Sequence, residues 1–217
     1  MVDVCPIELP GRGRRIADRA FTHVQALAQA LIKDVLPYFD LPVVFFGHSM
    51  GALISFELAR AMRKTGVQPV GLIVSGRRAP HSPLTAPRTF NLPDRDFTEE
   101  LRRMKGTPDD VLEHAEFMEF MLPILRADFE LCQTYTYLPE PPIHCPITLF
   151  MGEQDEEAKR QYIDAWKEQT LAEFRTYVIP GDHFFLRTEE TLFLRMISAE
   201  LKRLMAAMNS PAATSRL

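Results

Sequence analysis

The chain has 217 residues, enough for one sizeable core and short of what two full domains need. A hydrophobic fraction of 46%, a charged fraction of 25% and a net charge of −4 describe an ordinary globular protein with no global affinity for nucleic acid or an anionic membrane. No apolar run approaches the ~20 residues of a membrane helix, and the first residues carry no signal-peptide pattern. Cys5, Cys132 and Cys145 show no ligand spacing, so reduced thiols in the cytoplasm are expected.

Val2 to Leu9 reads as a first strand, closed by a turn at Pro10-Gly11-Arg12-Gly13. Phe21 to Leu36 places Phe21, Val24, Leu27, Ala28, Leu31, Ile32 and Val35 at helical spacing and stops before Pro37. Val43 to Phe46 is a continuous apolar run of the kind buried on both faces of a sheet. A helix from Ala52 to Lys64 follows, ended by Gly66. Val70 to Ser75, Ile147 to Met151 and Arg175 to Ile179 are further strands, and Glu190 to Met208 is a closing helix. The residues from 209 on are small and polar and are expected to fray.

This alternation predicts an α/β fold, a mostly parallel sheet flanked by helices, in a single domain spanning 1–217. Residues 81–142 break the alternation. They hold no strand candidate, but helical signals at Asp94–Lys105 and Glu116–Tyr137 and abundant Met and Phe. A helical insertion of that size reads as a lid, the alternative being a helical layer that only packs.

Gly47-His48-Ser49-Met50-Gly51 matches G-x-S-x-G between a buried-strand run and a helix, the setting of a nucleophile elbow in an α/β-hydrolase. In so tight a turn, bulk at 47 or 51 would collide with neighbouring elements, which glycine relieves. The helix N-terminus supplies N–H groups and positive dipole to a forming oxyanion, so Met50 N–H is an expected donor. Ser49 needs a base. Of six histidines, His183 follows the last strand at the C-terminal end of the sheet, in the chain order Ser…Asp/Glu…His of this fold. His48 is set aside as pointing away from the serine. The acid belongs after the penultimate strand, where Asp155 leads, with Glu153, Glu156 and Glu157 in the same loop; Asp182, next to His183, is poorly placed to hold its ring. No two histidines stand at metal-ligand spacing, so no metal is expected.

Leu9-Pro10-Gly11-Arg12-Gly13-Arg14-Arg15, Phe46 to Ala52, Val74-Ser75-Gly76-Arg77-Arg78-Ala79-Pro80, Leu125-Arg126-Ala127-Asp128-Phe129, Cys145-Pro146-Ile147-Thr148 and Gly181-Asp182-His183-Phe184-Phe185-Leu186 together resemble the stand-alone type II thioesterases of nonribosomal peptide and polyketide synthases. The resemblance covers nearly the whole chain. It implies hydrolysis of stalled acyl groups from the phosphopantetheine arm of an acyl or peptidyl carrier protein, with no cofactor of the enzyme's own. It also places the family's triad on Ser49, Asp155 and His183, and its elbow donor on Met50.

Only 48 residues precede Ser49, whereas such a hydrolase carries an earlier strand and a Gly-rich loop giving the second oxyanion N–H. The expectation is therefore an N-terminally shortened form, through a late start or a misplaced start codon. Two other functions compete: a small-ester esterase using the same triad, and an inactive protein that still binds a carrier. Arg12, Arg14, Arg15 and Arg19 could dock an acidic carrier protein, or could be solvated or paired within the fold.

Overall fold

The structure is a computed structural model that describes residues 2–84, 86–156 and 160–208. Glu157 of the acidic loop and the polar tail from residue 209 lie outside the described residues. The chain divides into two compact units, Met1–Leu27 with Leu84–Tyr135, and Ala28–Pro83 with Thr136–Leu217.

The larger unit is built on four parallel strands, β1 (Val44–His48), β2 (Gly71–Ser75), β3 (Ile147–Gly152) and β4 (Phe174–Ile179), ordered β1-β2-β3-β4. Its helices are the later part of α1 (Val24–Val35), α2 (Met50–Arg63), α6 (Arg160–Ile163), α7 (Phe185–Thr188) and α8 (Glu190–Met208). Every residue of β2 and β3 is buried, as apolar strands between two covered faces must be. Phe46, Ile73, Phe150, Tyr177 and Ile179 share one face, where α8 packs Phe193, Met196, Ile197, Leu201 and Leu204 over them. Side chains alternate along a strand, so Phe45 and Gly47 point to the opposite face, against which α2 returns.

The α8 face also buries a carboxylate. Glu200 accepts from Thr148 Oγ1 at 2.6 Å, Tyr177 OH at 3.1 Å and the Arg203 guanidinium at 2.6 and 3.0 Å. Burial alone would push its carboxyl up, but the Arg203 and Thr148 hydrogen bonds outweigh it and hold the group below its ordinary range.

The smaller unit holds α3 (Asp94–Arg103), α4 (Asp109–Leu112) and α5 (Ala115–Gln133). Phe97, Leu101, Leu112 and Met118 form its core, with Leu92, Leu122, Leu125 and Phe129 packed around them. Arg126 stands over the Phe97 ring at 4.6 Å and donates to Phe90 O and Asp94 Oδ1, both at 2.6 Å. Gln133 Oε1 accepts from Thr89 N at 2.8 Å and Phe90 N at 3.2 Å. Arg12 grips Asp128 with two bonds of 3.0 and 2.6 Å.

The segment from Val2 to Leu9 is not a strand. Val2, Val4 and Ile7 are exposed and pair with none of the described strands, and Pro6 removes a ladder donor. Its apolar residues imitate a strand, but a strand persists only beside a partner. The turn after it forms as read, with Gly11 at φ 84° and Gly13 at φ 51° and the Glu8 carboxylate accepting from Arg14 N and Nε. The other boundaries shift by a few residues at most, and α8 spans the range read from the sequence.

Candidate active site

β1 runs into Gly47 and His48, and α2 starts immediately after Ser49. Ser49 takes φ 53°, ψ −114°, a conformation that costs a non-glycine residue ~1–3 kcal/mol and persists only where the surroundings impose it. A Cβ at Gly47 would run into the Gly51 carbonyl, so helix and strand approach this closely only because residue 47 has no side chain. At Gly51 a Cβ would meet nothing within 4 Å. The steric need read from the motif for both glycines therefore holds at 47 and not at 51. Met50 is the first residue of α2, where N–H groups have no intrahelical acceptor.

Ser49 N–H donates to the carbonyl of Ser75 at the end of β2, at 2.8 Å. Gly76, the next residue, has φ 56°, and a Cβ there would lie 2.5 Å from His48 Cε1 and 3.3 Å from His183 Cε1. The nucleophile elbow, the end of β2 and the His183 loop thus converge on a point that only glycine can occupy.

His183 Nδ1 lies 2.8 Å from Asp155 Oδ2, and the Asp155 side chain is 2% exposed against 21% for His183. Backbone bonds hold their two loops together, Glu153 N donating to Ile179 O at 2.8 Å and Gln154 N to Gly181 O at 2.9 Å, while Asp155 N donates to Gly152 O at 3.1 Å within its own loop. A Cβ at Gly152 would strike the Asp182 carbonyl. Of the competing acids, Glu153 and Glu156 are exposed. Asp182 turns its carboxylate to Phe184 N at 2.8 Å and so shapes the loop instead of holding the ring. A direct hydrogen bond thus joins Asp155 and His183, and Ser49 is linked to them through β2.

His48, discounted on the sequence, lies beside His183 with ring centroids 4.9 Å apart. Its Nδ1 is 3.0 Å from Ser75 Oγ, its Nε2 is buried with no hydrogen-bond partner among the described residues, and Phe185 meets it edge-on at 5.9 Å. Burial and the neighbouring His183 push its pKa down to about 4, against the weaker pull of Asp155 and the His183 backbone. The signal available was strand alternation: residue 48 shares the β1 face of Phe46, which also carries Phe150 and Phe185.

Cys145 does not rival Ser49 as a nucleophile, because burial pushes its thiol up to about 12. The basic N-terminal cluster is largely engaged within its own unit, Arg12 with Asp128, Arg14 with Glu8 and Arg15 with Asp18. No helix of the described residues is long and apolar enough to cross a membrane.

The thioesterase domain family matches residues 1–201 of this chain. The chain belongs to that family. This thioesterase is 44% identical over 206 residues to the gramicidin S biosynthesis protein GrsT of Aneurinibacillus migulanus, covering 94% of this chain and 80% of the relative. To the thioesterase PikA5 of Streptomyces venezuelae it is 35% identical over 191 residues, covering 87% of this chain and 67% of PikA5. The solved structure of YbtT, a type II thioesterase from the yersiniabactin NRPS/PKS pathway, matches it with a TM-score of 0.82 at 33% identity, covering 91% of this chain and 81% of the other. The enzyme is thus an α/β-hydrolase of the type II thioesterase group.

Proposed function

We propose that this thioesterase frees nonribosomal peptide or polyketide carrier proteins of acyl groups, hydrolysing the thioester to their phosphopantetheine arm with Ser49 as nucleophile, His183 as base and Asp155 as its orienting acid. The observation that carries the reading is the 2.8 Å bond from His183 Nδ1 to the buried Asp155 carboxylate, on a loop tied to the strand ends that hold the strained Ser49. The relatives named above for gramicidin S biosynthesis and for an NRPS/PKS pathway support the carrier-bound substrate.

With Nδ1–H donated to Asp155, the lone pair of His183 Nε2 is free to take the Ser49 proton. Ser49 Oγ then attacks the thioester carbonyl carbon, and Met50 N–H stabilises the oxyanion. The C–S bond breaks, and the thiolate leaves with the proton returned by His183. Water, deprotonated by the same nitrogen, attacks the acyl-serine carbonyl; the ester C–O bond breaks, Ser49 Oγ takes the proton back from His183, and the free acid leaves. The enzyme needs no cofactor, since the substrate brings its own phosphopantetheine.

Residues 81–142, which include α3, α4 and α5, would act as the lid over the acyl chain. Cys5, Cys132 and Cys145 are free thiols, and the cytoplasm is the compartment proposed for the enzyme.

The test follows hydrolysis of an acetyl- or aminoacyl-phosphopantetheinyl carrier protein and of a simple oxygen ester, with Ser49→Ala as control. Thioester turnover that disappears in Ser49→Ala is the expected result. Turnover of the ester alone would make this an esterase, and no turnover of either by the folded protein would make it a carrier-binding protein without catalysis.

A further inference from the structure

His183 is fixed at one nitrogen by Asp155, but a single hydrogen bond leaves an imidazole free to swing about it. What limits that swing is the material against the ring. The His48 ring lies 4.9 Å away, tilted by 46°, and Gly76 leaves the space in which the two rings meet. His48 is itself held, by Ser75 Oγ at 3.0 Å from Nδ1 and by the edge of Phe185.

Ser75 has two roles in this arrangement. Its carbonyl receives the Ser49 N–H and its hydroxyl anchors His48, so one residue fixes both the nucleophile's backbone and the ring behind the base. The other nitrogen of His48 is sealed from water with no hydrogen-bond partner among the described residues, a cost that an apolar ring in the same place would avoid. Such a cost is kept where a site needs the group.

We infer that His48 is a positioning residue for the base: anchored to Ser75, its ring is the wall that holds the His183 imidazole at the angle its reaction with Ser49 requires. This rests on His183 being the base of the proposed reaction. The wall must also carry no charge, because an imidazolium forms on His183 during each turnover and a cation at 4.9 Å would oppose it. His48 meets that condition, being neutral at pH 7. Asp155 and His183 are the ionisable groups acting on it.

The test compares His48→Asn, which keeps a polar partner for Ser75 but removes the ring, with His48→Phe, which keeps a ring and removes the polar partner. Ser75→Ala, which removes the anchor alone, is the third variant. Two readouts are taken: kcat, KM and the pH profile on an acyl-phosphopantetheinyl carrier protein, and the Nδ1 proton and 15N resonances of His183 in the substrate-free enzyme. A misplaced base costs about 100-fold. His48→Asn is therefore expected to lower kcat by that much with KM little changed, to shift the acidic limb of the pH profile and to broaden the His183 Nδ1–H signal. His48→Phe is expected to recover kcat to within about tenfold of the parent, and Ser75→Ala to fall between the two.

An unchanged His183 resonance and unchanged kcat in His48→Asn would overturn the inference. So would a His48→Phe variant as impaired as His48→Asn. If His48→Asn does not fold, Ser75→Ala decides, because a kcat and His183 signal like the parent's would show that the anchored wall is dispensable. Failure of the proposed reaction is seen separately, as turnover that survives Ser49→Ala, while the His183 spectrum still reads the wall.

Discussion

The strand-end loops of the larger unit and the helices of residues 84–135 are held by different bonds. Behind β3 and β4 the chain ties to itself, main chain to main chain, through Glu153 to Ile179, Gln154 to Gly181 and Asp155 to Gly152. In the helical unit side chains do the tying, through Arg126 to Phe90 and Asp94, Gln133 to Thr89 and Phe90, and Arg12 to Asp128. Main-chain bonds between strand ends lose little entropy on forming, because the sheet has already fixed both partners. Long side chains must each be ordered, and their part-exposed ion pairs contribute less and weaken with salt. The proposed base, which must sit within a fraction of an ångström, belongs on the first kind of scaffold, and the proposed lid on the second.

The largest effect should come from Asp155→Asn. It leaves the loops tied but presents the wrong hydrogen-bond partner to His183, and kcat for thioester hydrolysis should fall about 10⁴-fold with an unchanged melting curve. Gly152→Ala strikes the scaffold itself. Its methyl meets the Asp182 carbonyl, which should separate the acid loop from the His183 loop and lower kcat by about 100-fold, with loss of the His183 Nδ1–H signal. If Gly152→Ala keeps full activity, the main-chain tie is not what positions the base.

Acid should weaken the larger unit first. His48 has a folded pKa of about 4 against 6.5 for the free group, so between these values the unfolded chain binds the proton that the folded one refuses. Stability therefore falls as pH drops from 6.5 to 4, by up to about 3 kcal/mol. Glu200 acts in the same direction lower down: its depressed folded pKa stabilises the fold above the ordinary carboxylate range, and that contribution goes as pH falls through the folded value. Urea melts across this range should show the slope, and His48→Phe should flatten it between pH 6.5 and 4.

Gln133→Ala, which strips the acceptor from two part-buried N–H groups, should cost about 1–3 kcal/mol by urea melts. Hydrogen exchange should then quicken in residues 84–135 while β3 and β4 stay protected. Exchange that quickens in the strands as much would mean the two regions open together. Smallest of all should be Gly51→Ala, next to open space in a helix, which should leave activity intact and raise stability by about 0.5 kcal/mol.

Much of this was legible because it is local. Continuous apolar runs flag β1, β2 and β3, helical spacing flags α1, α2 and α8, and the placing of Gly47-His48-Ser49-Met50-Gly51 between a strand and a helix marks the elbow. Asp155 stood out from its acidic neighbours only by position after β3, and the sequence had no means of seeing that Glu153 and Glu156 face solvent while Asp155 is buried. Val2 to Leu9 failed as a strand because its apolar residues pair with none of the described strands. Arg12, Arg14, Arg15 and Arg19 could be read either as a docking surface or as paired within the fold, because Asp128, which takes up Arg12, stands more than a hundred residues away in sequence.

What the sequence determined by itself is whatever one backbone segment can decide alone: periodicity, tight turns, and a serine between strand and helix. The tertiary structure alone decided which carboxylate holds His183, that Gly47 is required and Gly51 is not, and that His48 lies against His183. Each of these depends on contact between segments brought together by the parallel register of four strands. That register is set by burial summed over the whole sheet, a quantity no single segment carries.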